Sequence, residues 1–442
     1  MSIYKECDIR GIYGTELTDS DAYNIGRAVG TILAGRDTVV GGDVRLSTET
    51  LKAELIRGLV DCGATVYDIG TVPTPVMYFA HKHLGAYAGL TVTASHNPPQ
   101  YNGMKLMFGS VPVTPEDIGQ IEKIVRENAY VYGQGRVEKR EIMQAYADSI
   151  CGRFAPAGIR IVLDCCDGAS SLIAPQVAKR LGCEVTELFC GVDGSFPNRN
   201  PNPSNYSNLT ALQEKVREVH ADLGAAFDGD GDRVVFCDER GEIVNGEETL
   251  VLLMRDLMQA GDSFVYDQKS SSIVTEEAER LGVEAIMERS GHAFIKKRFL
   301  ERGSALAGEI SGHFFFGELG YDDGLFAAML VADLVKRSGK KLSELYADLP
   351  KKRITPDYRI RVKYADQQPI LDRIEHCAAE YKINRLDGVR VETPDGWMLI
   401  RKSVTEEAMT VRMEARDEKT LRAQAAMLSR WVPEFAEKLN TI

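Results

Sequence analysis

Residues 38–69 read TVVGGDVRLSTETLKAELIRGLVDCGATVYDI, and this stretch decides the fold. Thr38-Val39-Val40 is a short β-branched run, and Asp43 to Ser47 is a polar turn. Leu51, Leu55, Ile56 and Leu59 then recur at helical spacing before Gly63, and Val66 to Ile69 resumes as a strand. A strand, a capped helix ending at glycine and a second strand make a β-α-β unit, which favours parallel pairing and a right-handed crossover. The unit recurs twice. Ile159–Leu163 leads through Asp164, Asp167 and Ser170 to a helix with Ile173, Val177, Ala178 and Leu181, then Gly182 and the strand Val185–Phe189. Phe264–Tyr266 leads through Asp267 and Ser270 to a helix with Val274, Ala278 and Leu281, then Gly282 and the strand Glu284–Met287. Ser47, Ser170 and Ser270 are the expected N-caps. Three copies at unequal spacing predict three similar α/β domains rather than a solenoid.

Outward from these units, Tyr4 to Gly11 reads as a strand ending in a glycine-flanked Arg10. A helix is expected over about Asp21–Ala34. Another is expected over Pro115–Asn128, with Thr114 as N-cap and Val113 stapled onto Ile118. From about Arg353 the pattern changes to strands at Tyr358–Tyr364, Val389–Glu392, Met398–Arg401 and Met409–Ala415. Helices follow near Gln368–Tyr381 and Glu418–Lys438, and Pro394-Asp395-Gly396 is a tight turn. The expected architecture is α/β: three similar α/β/α domains with mainly parallel sheets, then a C-terminal α+β domain. The boundaries fall at 1–140, 141–244, 245–353 and 354–442.

Composition sets the class. The chain has 442 residues, 44% hydrophobic and 27% charged, so it can bury several cores. A net charge of −12 argues against nucleic acid or an anionic membrane as partner, so an anionic substrate requires a locally basic cleft. Nine cysteines without CxxC or zinc-like spacing read as free thiols in a reducing compartment. The N-terminus, MSIYKECD, carries no apolar secretion signal, and no apolar run approaches the roughly 20 residues that span a bilayer. A cytoplasmic location follows as the expectation.

Two loops carry chemistry. Residues 89–108, GLTVTASHNPPQYNGMKLMF, place Ser95 beside His96 at the tip of a strand. Two prolines stiffen the loop, a further turn is expected at Asn102-Gly103, and Met104–Phe108 returns as a strand carrying Lys105. A Ser-His-Asp hydrolase does not fit, because G-x-S-x-G is absent and the serine and histidine are adjacent. Between two apolar strands lies Asp228-Gly229-Asp230-Gly231-Asp232-Arg233. Three closely spaced carboxylates repel one another without a cation, and hard oxygen donors in a small loop suit Mg²⁺. An EF-hand is excluded because Arg233 stands where that loop needs glycine and the flanks are strands.

TASHNP followed by YNGMK, together with DGDGDR, resembles the α-D-phosphohexomutases of phosphomannomutase/phosphoglucomutase type, and further matches extend the resemblance over the whole chain. The resemblance implies four domains around a central cleft and reversible transfer of phosphate between positions 1 and 6 of a hexose phosphate. Ser95 would carry the phosphate, and hexose 1,6-bisphosphate would be the intermediate and activator. Asp228, Asp230 and Asp232, with phospho-Ser95, would hold Mg²⁺. Lys105, Arg233 and Arg10 would offset the phosphate's charge, and His313, Lys105 and Arg10 are the candidates for moving the sugar's proton. Glu309 and Ser311 would bind sugar hydroxyls, with Lys269 and the Ser290-Gly291-His292 loop near Lys296 beside them. Arg401, Ser403 and Thr405 would cradle the second phosphate, although Val404 replaces the family's asparagine there. Glu309-Ile310-Ser311 is similar to the mannose/glucose form rather than the glucosamine form of that loop. A phosphoglucosamine mutase and a non-catalytic sugar-phosphate-binding protein are the alternatives. Small hexose phosphates are the expected partners.

Overall fold

The computed structural model describes residues 2–403 and 407–441. Its first three units share one sheet plan. In each, the strand opening the β-α-β unit (Thr38–Gly42, Arg160–Asp164, Ser263–Asp267) lies between two parallel partners. The partners are Thr65–Thr71 and Ala88–Val92 in the first unit, Glu184–Leu188 and Leu223–Phe227 in the second, and Glu284–Glu288 and Leu306–Gly308 in the third. Beyond Ala88–Val92, Leu223–Phe227 and Leu306–Gly308 the next strand runs antiparallel: Tyr101–Phe108, Val234–Asp238 and Phe314–Phe316. The sheets are therefore mixed, with a parallel centre. Site-bearing loops leave the carboxyl ends of those parallel strands, where open α/β sheets form their clefts.

The turns correct one expectation. Ser47 stands at the N-cap of the first helix without accepting a cap hydrogen bond, Ser170 lies inside a short 3₁₀ turn, and in the third unit the N-cap position falls to Ser272 rather than Ser270, again without a cap bond. The aspartate at the end of each opening strand (Asp164, Asp267) or just past it (Asp43) shapes the turn instead. Asp43, Asp164 and Asp267 are buried, and each accepts from the backbone N–H two residues on, at 3.0 Å in all three. A carboxylate at or just past the end of the strand reaches the backbone of the turn more readily than a serine several residues downstream. The closing glycines do follow the sequence pattern, with φ of 90°, 80° and 70° at Gly63, Gly182 and Gly282.

A second correction concerns Asn102-Gly103. These residues are not a turn but the start of the strand Tyr101–Phe108, which pairs antiparallel with Ile9–Ile12. Gly103 lies opposite Arg10, and a Cβ there would stand 2.0 Å from the carbonyl oxygen of Ile9. The glycine serves close backbone approach rather than a bend. The helix Pro115–Glu127 begins as expected, with Thr114 and Asp117 in a capping box.

The C-terminal unit is a six-stranded antiparallel sheet. One face (Val389, Val391, Met398, Ile400, Met409, Val411, Met413) packs on helices Tyr364–Cys377 and Glu418–Trp431. Both helices depart from expectation. The first begins at Tyr364 and carries Pro369 inside it. The second stops at Trp431, because Pro433 lacks the N–H needed to continue. The opposite face presents Arg390, Arg412 and Glu414 towards the third unit, where the contacts are polar. Ser272 Oγ donates to Glu414 at 2.6 Å, and Lys269 pairs with Asp357 at 2.5 Å. Among the described residues, no helix is long and apolar enough to cross a membrane.

Candidate active site

Ser95 stands three residues past the strand Ala88–Val92 with φ of 50°, the left-handed region that a serine occupies at a cost of about 1 kcal/mol or more. Arg45 holds it there. This buried guanidinium donates to the carbonyl oxygens of Ser95 (2.8 Å), Asn97 (2.6 Å), Pro98 (2.8 Å) and Tyr101 (3.0 Å), and its Nε reaches Asp43 at 3.1 Å. Asp43 also accepts from Thr48 and Thr93, both at 2.7 Å. Losing a buried arginine that satisfies four carbonyls would leave several polar groups unpaired, each worth about 1–3 kcal/mol. Arg199 plays the same part in the second unit, bonding Asp164 and the Phe227 carbonyl at 2.7 Å each, just before the aspartate loop.

The serine and aspartate loops meet directly. Ser95 Oγ donates to Asp228 Oδ2 at 2.9 Å and lies 3.1 Å from His96 Nδ1. A Cβ on Gly229 would stand 2.5 Å from the Ser95 carbonyl oxygen, so only glycine lets the two backbones approach this closely. Lys105 Nζ pairs with Asp230 at 2.7 Å and also with Asp232. Thr74, at the start of helix Thr74–Leu84, donates to Asp230 through its hydroxyl at 2.7 Å. All three aspartates are fully buried.

That burial governs their protonation. Burial, with the Asp230 and Asp232 charges, pushes Asp228 up to about 8. Burial works the same way on Asp230, but Lys105 and Thr74 overcome it and hold this carboxyl below its usual range. Lys105 in turn is desolvated, yet Asp230 and Asp232 keep it charged above the ordinary lysine range. Asp230 Oδ1 and Asp232 Oδ1 are buried without a hydrogen-bond partner. Oxygen donors left open in this way fit a hard divalent cation, which the three aspartates together would hold.

The third unit closes the cluster. Arg233 Nε donates to His313 Nε2 at 3.0 Å, and His313 Nδ1 is 2.7 Å from Asp322 Oδ2. His292 Nε2 lies 3.0 Å from Asp322 Oδ1. Burial lowers His292. His313 is buried too, but Asp232 and Asp322 raise it. Glu309 accepts from Gly291 N–H at 2.9 Å and from Ser311 Oγ at 2.8 Å, which orients its carboxylate. Lys296 is buried with Nζ 3.4 Å over the Tyr78 ring, and burial lowers it to about 8. Arg10 bonds Asp8 at 2.5 Å and Asn97 at 3.0 Å, which joins it to the serine loop.

The proposed phosphate cradle forms a separate group. Arg401 is the penultimate residue of the strand Gly396–Lys402, with Nη1 3.2 Å from Asp387. The N–H of Ser403 donates to Ala408 O at 2.9 Å. Thr405 and Val404 lie outside the described residues. Gln268 reaches Asp387 at 3.3 Å, and Lys269, next along, pairs with Asp357. Four supporting residues escape motif reading: Arg45, Thr74, Arg199 and Asp322. Arg45 and Arg199 pair with the recurring turn aspartates Asp43 and Asp164, a link that only the structure makes, and Tyr321-Asp322-Asp323-Gly324 is a local polar stretch that holds Asp322.

Comparison with known proteins agrees with this geometry. Models of the phosphoglucomutase/phosphomannomutase α/β/α domains I, II and III match residues 1–131, 144–241 and 245–353, and the model of its C-terminal domain matches 360–430. A phosphomannomutase/phosphoglucomutase of Pseudomonas putida is 40% identical over 424 residues, covering 94% of this chain and 92% of that one. A phosphoglucomutase of Neisseria gonorrhoeae is 38% identical over 428 residues, covering 93% of each. The crystal structure of a phosphoglucomutase/phosphomannomutase family protein from Burkholderia thailandensis superposes with a TM-score of 0.90 at 32% identity. It covers 97% of this chain and 96% of that one.

Proposed function

The chain belongs to the phosphoglucomutase/phosphomannomutase family and is a hexose phosphate mutase, and from that premise we propose that Ser95 is its phosphate carrier. The observation that carries this reading is the 2.9 Å contact of Ser95 Oγ with Asp228, with Lys105 held charged beside it. A phosphoserine brings about −1.5 to −2 of charge. Asp228, Asp230 and Asp232 would hold Mg²⁺ against it, and the ion supplies charge neutralisation at the reacting phosphoryl oxygens.

The remaining steps belong to the chain's own side chains. A sugar hydroxyl oxygen bonds to phosphorus while the bond to Ser95 Oγ breaks and its electron pair stays on Oγ; Arg233 turns from His313 Nε2 to the phosphoryl oxygens, and the hydroxyl proton passes to the Nε2 it vacates. Asp322, 2.7 Å behind that ring, fixes the tautomer that receives it. Lys105 and Arg233 hold the phosphoryl oxygens. Phosphoryl transfer needs little else, since positioning and electrostatics dominate it. The resulting hexose 1,6-bisphosphate turns end over end, and Ser95 recovers the other phosphate. Arg401 and Ser403 hold the phosphate that is not reacting, with Thr405 assigned to the same cradle. Lys269 and His292 line the sugar's path. Glu309 and Ser311 accept a hydroxyl pair that both orientations present.

Because mannose and glucose phosphates differ only at the 2-hydroxyl, contacts confined to that pair accept both. A coupled assay should therefore show comparable use of mannose and glucose 1-phosphates and poor use of glucosamine 1-phosphate. A wide preference for the amino sugar would transfer the assignment to a phosphoglucosamine mutase. For the carrier itself, intact mass before and after phosphatase should differ by one phosphate. Ser95→Ala should lose both that shift and turnover, and an active Ser95→Ala enzyme would end the reading.

A further inference from the structure

Beside the three-aspartate loop lies a second group of potential ligands with different chemistry. Asp232, His292, His313 and Asp322 each offer one donor atom, all within 4.8 Å of one another. His313 Nδ1 to Asp322 Oδ2 is 2.7 Å, His292 Nε2 to Asp322 Oδ1 is 3.0 Å, and His313 Nδ1 to Asp232 Oδ1 is 3.7 Å. Tetrahedral Zn²⁺ with bonds near 2.0–2.1 Å places its ligand atoms roughly 3.3 Å apart, within the spread seen here. Asp232 is fully buried, and its Oδ1, the atom nearest His313, has no hydrogen-bond partner. The His292 side chain keeps 20% exposure, so the group is reachable from solvent at that residue.

We propose that these four residues form an inhibitory site for a borderline divalent cation of the Zn²⁺ class, distinct from the site for a hard cation. Imidazole nitrogens discriminate between the two: the aspartate loop offers oxygen only, whereas this group adds two nitrogens that Zn²⁺ favours and Mg²⁺ does not. Two carboxylates and two neutral imidazoles balance the ion's charge. Loading the site displaces the proton on His313 Nδ1, and the ring then carries its proton on Nε2. Arg233 Nε, which donates to Nε2 at 3.0 Å, must turn away. Asp232 belongs to both groups, so an ion here also withdraws one ligand from the aspartate loop. The bound ion thus removes the proton acceptor, releases Arg233 and weakens the hard-cation site together.

The test is a Co²⁺ titration of the full chain in excess Mg²⁺, followed by visible absorption. One equivalent should give the intense band of tetrahedral Co²⁺, which Zn²⁺ erases and further Mg²⁺ does not. The band should persist in Asp230→Asn and vanish in His292→Gln and in Asp322→Asn, with circular dichroism reporting that each variant is folded. X-ray absorption at the zinc edge of the wild-type protein should count two imidazole ligands, whatever the fate of the variants. Zn²⁺ should also inhibit turnover at saturating Mg²⁺. A band lost in Asp230→Asn or displaced by Mg²⁺, or a zinc shell without two imidazoles, would put the ion in the aspartate loop and overturn the proposal. Metal binding is read by spectroscopy, so this outcome does not depend on the mutase assignment.

Discussion

Ser95 donates a 2.9 Å hydrogen bond to Asp228, a residue 133 positions away on a different sheet. Each residue lies just past the carboxyl end of a parallel strand, Ala88–Val92 and Leu223–Phe227, and the two loops meet backbone to backbone at Gly229. The serine and the acidic loop are therefore positioned by domain packing, and disturbing either loop should register at the other.

Lys105 neutralises Asp230 and Asp232, and it also competes with any cation those residues bind. Lys105→Met should lower kcat by at least about 100-fold, since a charge beside the transferring phosphoryl group is lost. The rise in Tm on adding Mg²⁺ should become larger than in the wild type, because two buried carboxylates then depend on the ion alone. Asp230→Asn should show the reverse, with the Mg²⁺-dependent rise largely gone. Differential scanning fluorimetry with and without EDTA distinguishes the two.

Arg401 and Asp387 should pull affinity in opposite directions. If Arg401 holds the non-reacting phosphate as proposed, Arg401→Ala removes a bidentate donor and should raise KM about tenfold or more, whereas Arg401→Lys restores charge but not the fork. Asp387 occupies the guanidinium at 3.2 Å, so Asp387→Asn should lower KM by freeing it. Unchanged KM in all three variants would place the non-reacting phosphate elsewhere.

Gly103→Ala forces a Cβ to within 2.0 Å of the Ile9 carbonyl, where backbone rather than a flexible side chain must give way. The strand Ile9–Ile12 should detach from its partner at a cost of about 2 kcal/mol or more, with a lower Tm. Arg10 sits opposite that glycine, so KM should rise as well.

Burial pushes Asp323 up to about 7 from an ordinary 3.8. Between those values the folded protein keeps a proton that the unfolded chain releases. Stability is thus fully present at acid pH and is lost as pH rises towards 7, by about 1.4 kcal/mol per unit. Asp323→Asn keeps an acceptor for the Phe326 N–H that caps the helix, and leaves Tyr146 OH a partner. Its Tm should therefore vary less between pH 4 and 7 than the wild type's, and should exceed it at pH 8. Parallel profiles would show that Asp323 titrates below this range.

By itself the sequence determined the repeated β-α-β plan and the change to an α+β pattern in the C-terminal unit, and it marked Ser95, Lys105 and the three aspartates as the candidate site. Those features are local: hydrophobic period, glycine punctuation and clustered charge are all written within some ten to thirty residues. Tertiary structure alone decided that Asn102-Gly103 is strand rather than turn, because the strand that needs the glycine lies some ninety positions upstream, at Ile9–Ile12. It alone revealed Arg45 as the clamp on the serine loop and Asp322 as the partner of both His292 and His313. The reason is physical. A buried polar group must find its partner wherever packing brings one, and that partner's distance along the chain leaves no mark on either residue's neighbourhood.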